Sequence, residues 1–254
     1  MEREPPRQGK EHLEKYGTVR PKVNTDTRTF DPDDQSWIVI GMDPQKLAAI
    51  DKRAKTISKA ASAAFYPYRH EVDGEWTEHT EADPDFAEEW ETNAFVFQYL
   101  HHPKEPAVHH EDMLKAAIFL NAKILFESQV PTFRDYMRLM GCGSFLIGDR
   151  AWAKDKSKSV PGLASSEQVI NKYVSRQTAW ITRFCYANKC PFPEMIEQWM
   201  MMDPGDMERY DLGVATGYAL LAAQPEELRK PQKIDNLPEQ RPHAVTISSI
   251  RGSY

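Results

Sequence analysis

The chain has 254 residues, of which 41% are hydrophobic and 28% charged, with a formal net charge of −6. This fits one large domain or two small ones with a real core, and with no apolar run near about 18 residues no membrane-spanning helix is expected. The acidic balance counts against a basic nucleic-acid coat protein, though not against an enzyme that holds nucleic acid along one groove.

Residues 1–34 are polar, charged and punctuated by proline, and read as an N-terminal arm or linker. They hold no apolar stretch of the secretory kind. No Walker A loop occurs: Gly9-Lys10 is followed by Glu11 and lacks the upstream glycine that would let backbone amides cradle a phosphate. The folded domain is expected over 35–223. It opens on Trp37-Ile38-Val39-Ile40-Gly41-Met42-Asp43-Pro44, a β-branched apolar run that ends in a carboxylate and is stopped by a proline with no N–H to donate. A buried central strand is the reading. Asp43 either opens a turn or stands at the lip of a sheet, where α/β proteins place their sites.

Residues 45–55 are read as a short helix or loop. Lys59–Arg69 supplies a second strand, 70–92 an acidic segment with a turn at Asp73-Gly74, and Phe95–Tyr99 a third strand rich in aromatic and β-branched residues. Glu111–Asn121 repeats apolar residues at helical spacing. His109-His110 before it, like His101-His102, read as a solvated stretch or as metal ligands, with no third ligand at a telling distance. Lys123-Ile124-Leu125-Phe126-Glu127 is a second apolar run that ends in an acid. Pro131-Thr132 opens a helix that stops at Gly141. Ser144–Ile147 is expected as a fifth strand, parallel to the first and fourth by βαβ logic.

Residues 149–165 form a loop carrying Arg150, Lys154, Lys156 and Lys158, which either contacts DNA phosphates or is simply solvated, and Trp152. Ser165 or Ser166 caps a long helix. Pro191 and Pro193 precede another over Glu194–Met202. The Ala-rich stretch Tyr210–Ala223, with Asp211 at its start, suits a helix packed on the sheet. Residues 224–254, with Pro225, Pro231, Pro238 and Pro242, read as a C-terminal tail. Cys142, Cys185 and Cys190 do not complete a zinc pattern and are read as free thiols in a reducing compartment.

Asp43, Glu127 and Asp211 share a logic. Two close adjacent strands, and the third begins a helix that must cover the sheet, so the three carboxylates can meet at one lip. Crowded carboxylates repel unless cations lie between them. Oxygen-only ligands favour Mg²⁺ or Mn²⁺, and a pair of such ions is the usual device for phosphodiester hydrolysis. Three strands, then helix–strand twice, then a closing helix is also the layout of the ribonuclease-H-like fold, an α/β fold with a central mixed five-stranded sheet flanked by helices.

On these residues the chain resembles the nuclease domain of the large terminase subunit of tailed bacteriophages. The carriers are Ile40-Gly41-Met42-Asp43-Pro44, Phe97-Gln98-Tyr99 with Pro103, Leu125-Phe126-Glu127-Ser128-Gln129, Gly162-Leu163-Ala164-Ser165-Ser166 and Tyr210-Asp211-Leu212-Gly213-Val214-Ala215. The resemblance implies a metal-dependent endonuclease that cuts concatemeric viral DNA during packaging in the cytoplasm of an infected cell. Asp43, Glu127 and Asp211 would hold two Mg²⁺ or Mn²⁺ ions. Some members carry a further acid soon after the first, for which Asp51 is the nearest candidate beside a reading as a plain surface acid. Double-stranded viral DNA, a portal, a small terminase subunit and an ATPase motor are the implied partners. The chain departs from the family in lacking the N-terminal motor, in Ser128 where relatives often have Asn, and in a longer acidic insertion between strands two and three. A junction resolvase or hybrid nuclease of the same fold, and a non-catalytic portal-docking module, are the competing readings.

Overall fold

The computed structural model describes residues 22–24, 29–32, 37–44, 59–69, 73, 91–148, 160–185, 189–203 and 205–223. Among the described residues it is an α/β protein built on a mixed open sheet of four strands with five helices. The strands of the sheet are β3 (Val39–Asp43), β4 (Ala60–Tyr66), β5 (Ala94–His101) and β6 (Lys123–Phe126), in the order β5-β4-β3-β6. β3 and β6 are parallel, while β4 runs antiparallel to both β3 and β5. A separate small hairpin joins β1 (Lys22–Asn24) to β2 (Thr29–Asp31) within the N-terminal arm, and β2 lies against residues 143–145.

The helices are α1 (Pro106–Leu120), α2 (Pro131–Leu139), α3 (Glu167–Phe184), α4 (Pro193–Met201) and α5 (Asp211–Ala222). Strand alternation divides the core in two. Ile40, Met42, Ala64, Ile124 and Phe126 face α1 and α2, whereas Val39, Ala61, Ala63, Phe65 and Leu125 face α3 and α5. Proline opens α1, α2 and α4 at the first turn, where its missing N–H has no intrahelical partner to lose. Ser166 caps α3 by accepting from the Val169 amide at 3.3 Å. All twelve residues of α5 are buried, as expected of a helix that is apolar and small on every side.

The fifth strand expected over Ser144–Ile147 is not formed. Gly141 takes a left-handed φ of 70° and Gly143–Phe145 coil into one 3₁₀ turn, which leaves two residues to extend. What remains is one parallel bridge, Leu146 to Ile124, with the Ile147 amide donating to the Ile124 carbonyl at 2.8 Å.

His109 and His110 also differ from the expected solvated stretch. Both lie in the first turns of α1 and both are buried, at 1% and 5% exposure. The Ser62 hydroxyl spends its proton on the Ala61 carbonyl at 2.8 Å, so His109 Nε2–H donates to Ser62 Oγ at 3.1 Å. The His109 ring stacks on Tyr99 at 4.9 Å between centroids. Burial, with the nearby His110 adding to it, pushes His109 from an ordinary 6.5 down to about 3. His101 and His102, by contrast, are exposed.

A pH dependence follows. Between pH 3 and 6.5 the unfolded chain holds a proton on His109 that the folded chain does not. Stability is therefore full above the unfolded value and falls with pH toward the folded one, by about 5 kcal/mol at the extreme. Urea denaturation at pH 7 and pH 4.5 is expected to show this loss, and His109→Gln to flatten the slope. An unchanged slope in the variant would place the titration elsewhere.

Candidate active site

The C-terminal ends of β3 and β6 lie side by side because the two strands are parallel, with Met42 opposite Phe126. The Glu127 amide continues the ladder by donating to the Met42 carbonyl at 3.2 Å. Asp43 and Glu127 therefore stand one strand spacing apart, about 4.8 Å between backbones. Alternation places both on the α5 face: Gly41 lies under α5 and Leu125 in the core of that face. α5 begins at Asp211, whose carboxylate Oδ2 accepts from the Lys59 amide at 3.1 Å. Lys59 leads into β4, where Ala61 pairs with Asp43. The three expected acids thus arrive at one end and one face of the sheet, from three separate elements. All are buried, at 7% for Asp43, 2% for Glu127 and 7% for Asp211.

The surroundings are polar where they meet the acids and tightly packed behind them. The hydroxyl-bearing rings of Tyr173 and Tyr218 lie behind the pair. Burial raises both phenols far above their usual range, and the charges of Asp43 and Glu127 add to the rise in each. Tyr218 is fixed by its bond to the Leu163 carbonyl at 3.1 Å and its contact with Ser165 Oγ at 3.0 Å. Leu163 in turn forms a parallel bridge with Glu127. On the far side, Gln198 of α4 accepts from the Leu212 and Gly213 amides at 2.8 and 3.2 Å, capping α5 from outside the helix. Gln177 of α3 donates to the Gly213 carbonyl and to Thr216, and Trp199 Nε1 donates to Thr216 at 3.0 Å. The first two turns of α5, and with them Asp211, are therefore held from two sides.

As a donor set the three carboxylates suit a hard, oxygen-seeking divalent cation. As oriented they are not closed around one: among the described residues no three His, Cys, Asp or Glu side chains group tightly enough to hold a metal ion. The bond from Lys59 to Asp211 explains part of this, because it engages one of the three carboxylates with the sheet.

Asp51 and the basic cluster Arg150, Lys154, Lys156 and Lys158, with Trp152, lie outside the described residues. Tyr173, Tyr218, Gln198 and the Lys59 amide were not foreseen from the sequence. A signal existed for Tyr173, since Val169, Tyr173, Gln177, Trp180 and Phe184 repeat at helical spacing and form the buried stripe of α3. The three cysteines are free thiols; burial pushes Cys142 and Cys190 up to about 11, so neither is an activated nucleophile. No described helix is long and apolar enough to cross a membrane. No protein-family model, curated protein or solved structure matches the chain.

Proposed function

We propose that the chain is a metal-dependent endonuclease of ribonuclease-H-like type, acting on double-stranded DNA in the manner of a terminase nuclease during viral genome packaging. The observation that carries this reading is the shared lip: Asp43, Glu127 and Asp211, scattered along the chain, reach one end and one face of the sheet. The parallel β3–β6 pair and the covering helix α5 agree with that fold type.

In this reading Asp43, on the central strand, is the shared ligand, and Glu127 and Asp211 complete the set on either side. Asp43, Glu127 and Asp211 would hold a pair of Mg²⁺ or Mn²⁺ ions, which would supply an activated water and charge stabilisation at the leaving oxygen. Binding them requires Asp211 to loosen or share its bond with the Lys59 amide. The N-terminal end of α5, where Asp211 stands, carries a partial positive charge that suits an anionic side chain. Tyr173 and Tyr218, kept neutral by burial, add no negative charge beside the acids. Arg150, Lys154, Lys156 and Lys158 are assigned to the DNA backbone on their charge, and the portal, small terminase subunit and ATPase motor are taken as partners, with the infected cell's cytoplasm as the location, on the resemblance.

The test is a titration of Mg²⁺ and Mn²⁺ against supercoiled plasmid, a four-way junction and an RNA–DNA hybrid, each with a chelator control. Nicking and linearisation of plasmid that the chelator abolishes supports the terminase-type reading. Preference for the junction or the hybrid moves the assignment to another nuclease of the same fold. No metal-dependent cleavage of any of the three, by folded protein, leaves a docking module as the better reading.

A further inference from the structure

α5 begins without a cap of its own. The residue before it, Tyr210, stands at φ −120° and ψ 60° and makes no side-chain capping bond to the helix. The first N–H groups of a helix have no carbonyl one turn back to donate to, so some other acceptor must serve them. By sequence, Asp211 is the residue best placed to do so. An aspartate readily turns its carboxylate onto the amide two residues on, and here that amide belongs to Gly213. A carboxylate used in that way would lie along its own helix instead of facing the lip.

The structure pairs these groups differently. The Leu212 and Gly213 amides both donate to Gln198 Oε1, at 2.8 and 3.2 Å. Asp211 Oδ2 accepts from the Lys59 amide at 3.1 Å, at the entry to β4. Gln198 is delivered by α4, which its next residue ties to α5: Trp199 Nε1 donates to Thr216 Oγ1 at 3.0 Å. The glycine at 213 lets the end of α4 come close, since a Cβ there would stand 3.0 Å from Met202 Sδ and 3.2 Å from Tyr210 Cβ. The acceptor is an amide oxygen, so it serves the start of α5 without bringing a negative charge of its own.

We infer that Gln198 is a positioning residue: by occupying the Leu212 and Gly213 amides it keeps the Asp211 carboxylate off its own helix and turned toward the lip where Asp43 and Glu127 end. The benefit to a bound cation rests on the nuclease reading, whereas the orientation of Asp211 does not.

The experiment follows hydrogen exchange of the Lys59 amide by NMR, in the full chain without divalent cations. Asp211→Ala gives the rate when no carboxylate accepts from that amide. Gln198→Met keeps the length and unbranched shape of the side chain but has no oxygen. It is expected to speed Lys59 exchange about tenfold or more, toward the Asp211→Ala rate, while Ala63 in β4 and Ala219 in α5 keep theirs. Gln198→Glu, which restores an acceptor, is expected to return Lys59 to the parental rate. Lys59 exchange indifferent to Asp211→Ala or to Gln198→Met, Lys59 and Ala219 speeding up together, or no recovery in Gln198→Glu would each overturn the assignment. A calorimetric titration with Mn²⁺ then tests the cation. Gln198→Met is expected to bind it about tenfold more weakly than the parent, with no further loss when the substitution is made in Asp211→Asn. Equal affinity of parent and Gln198→Met overturns the role at the cation site. No Mn²⁺ binding by the parent overturns the nuclease reading, and Lys59 exchange alone then decides how Asp211 is held.

Discussion

Asp43→Asn is expected to abolish metal-dependent cleavage while leaving the protein folded. Asparagine keeps the size and one oxygen of the side chain but removes the charge that a shared cation ligand must supply. A thousandfold or greater fall in nicking rate, about 4 kcal/mol of barrier, is the expected scale. Glu127→Gln and Asp211→Asn should fall in the same direction. The stability readout separates this from a folding defect. Asp43 and Glu127 are buried one strand spacing apart, so without divalent cations the neutral variant sheds a like-charge contact and should melt no lower than the parent. Added Mg²⁺ should then raise the melting temperature of the parent more than that of the variant, because only a site that binds in the folded state shifts the equilibrium. Cleavage that survives Asp43→Asn at the parental rate would sink the three-acid site, whatever the plasmid assay shows for the parent.

Gly41→Ala is the second large effect, and it acts on packing. A Cβ at position 41 would overlap the Ala215 carbonyl oxygen and the Ala219 amide nitrogen. These are backbone atoms of α5, so no rotamer change relieves the clash. The helix must lift off the strand, and every layer of the core between α3 and the sheet loosens with it. A loss of about 3 kcal/mol or more is expected, read as a lower urea midpoint or as insoluble expression. Gly143→Ala is the control: its nearest neighbour would be Arg138 Cγ at 3.8 Å, and a change within about 0.5 kcal/mol is expected. If Gly41→Ala melts with the parent, α5 does not sit on β3 as closely as described. Any partial survivor should also show weakened cleavage, because lifting α5 carries Asp211 away from Asp43.

Much of this arrangement is readable from residues alone, for physical reasons. The run Val39–Asp43 opens on two β-branched residues and is stopped by Pro44, so its strand and its terminal acid are written locally. The same holds for β4, β5 and β6, for the helix opened by Pro131, for a serine cap at Ser165 or Ser166 and for the small-residue helix α5, whereas α1 begins at Pro106, five residues before the apolar repeat that reveals it. What escapes is whatever depends on a partner distant in sequence. His109 looks like a polar helix start until Ser62, on a strand across the core, supplies its hydrogen bond. Asp211 looks available until the Lys59 amide engages it, and a backbone amide leaves no mark in a sequence. The fifth strand fails because apolar character over Ser144–Ile147 does not register that flanking glycines let the chain coil.

The complete burial of α5 has a consequence for how the molecule comes into being. This helix is the final described element, yet it covers β3, which lies some 170 residues earlier. While the chain emerges from a ribosome, one face of the sheet has nothing to close it, and Val39, Ala63 and Leu125 wait in contact with water or with a chaperone. Folding is then a late, long-range event that is slow for its size, and a nascent chain halted before Ala223 should be captured by holdases or degraded rather than yield a half-formed domain.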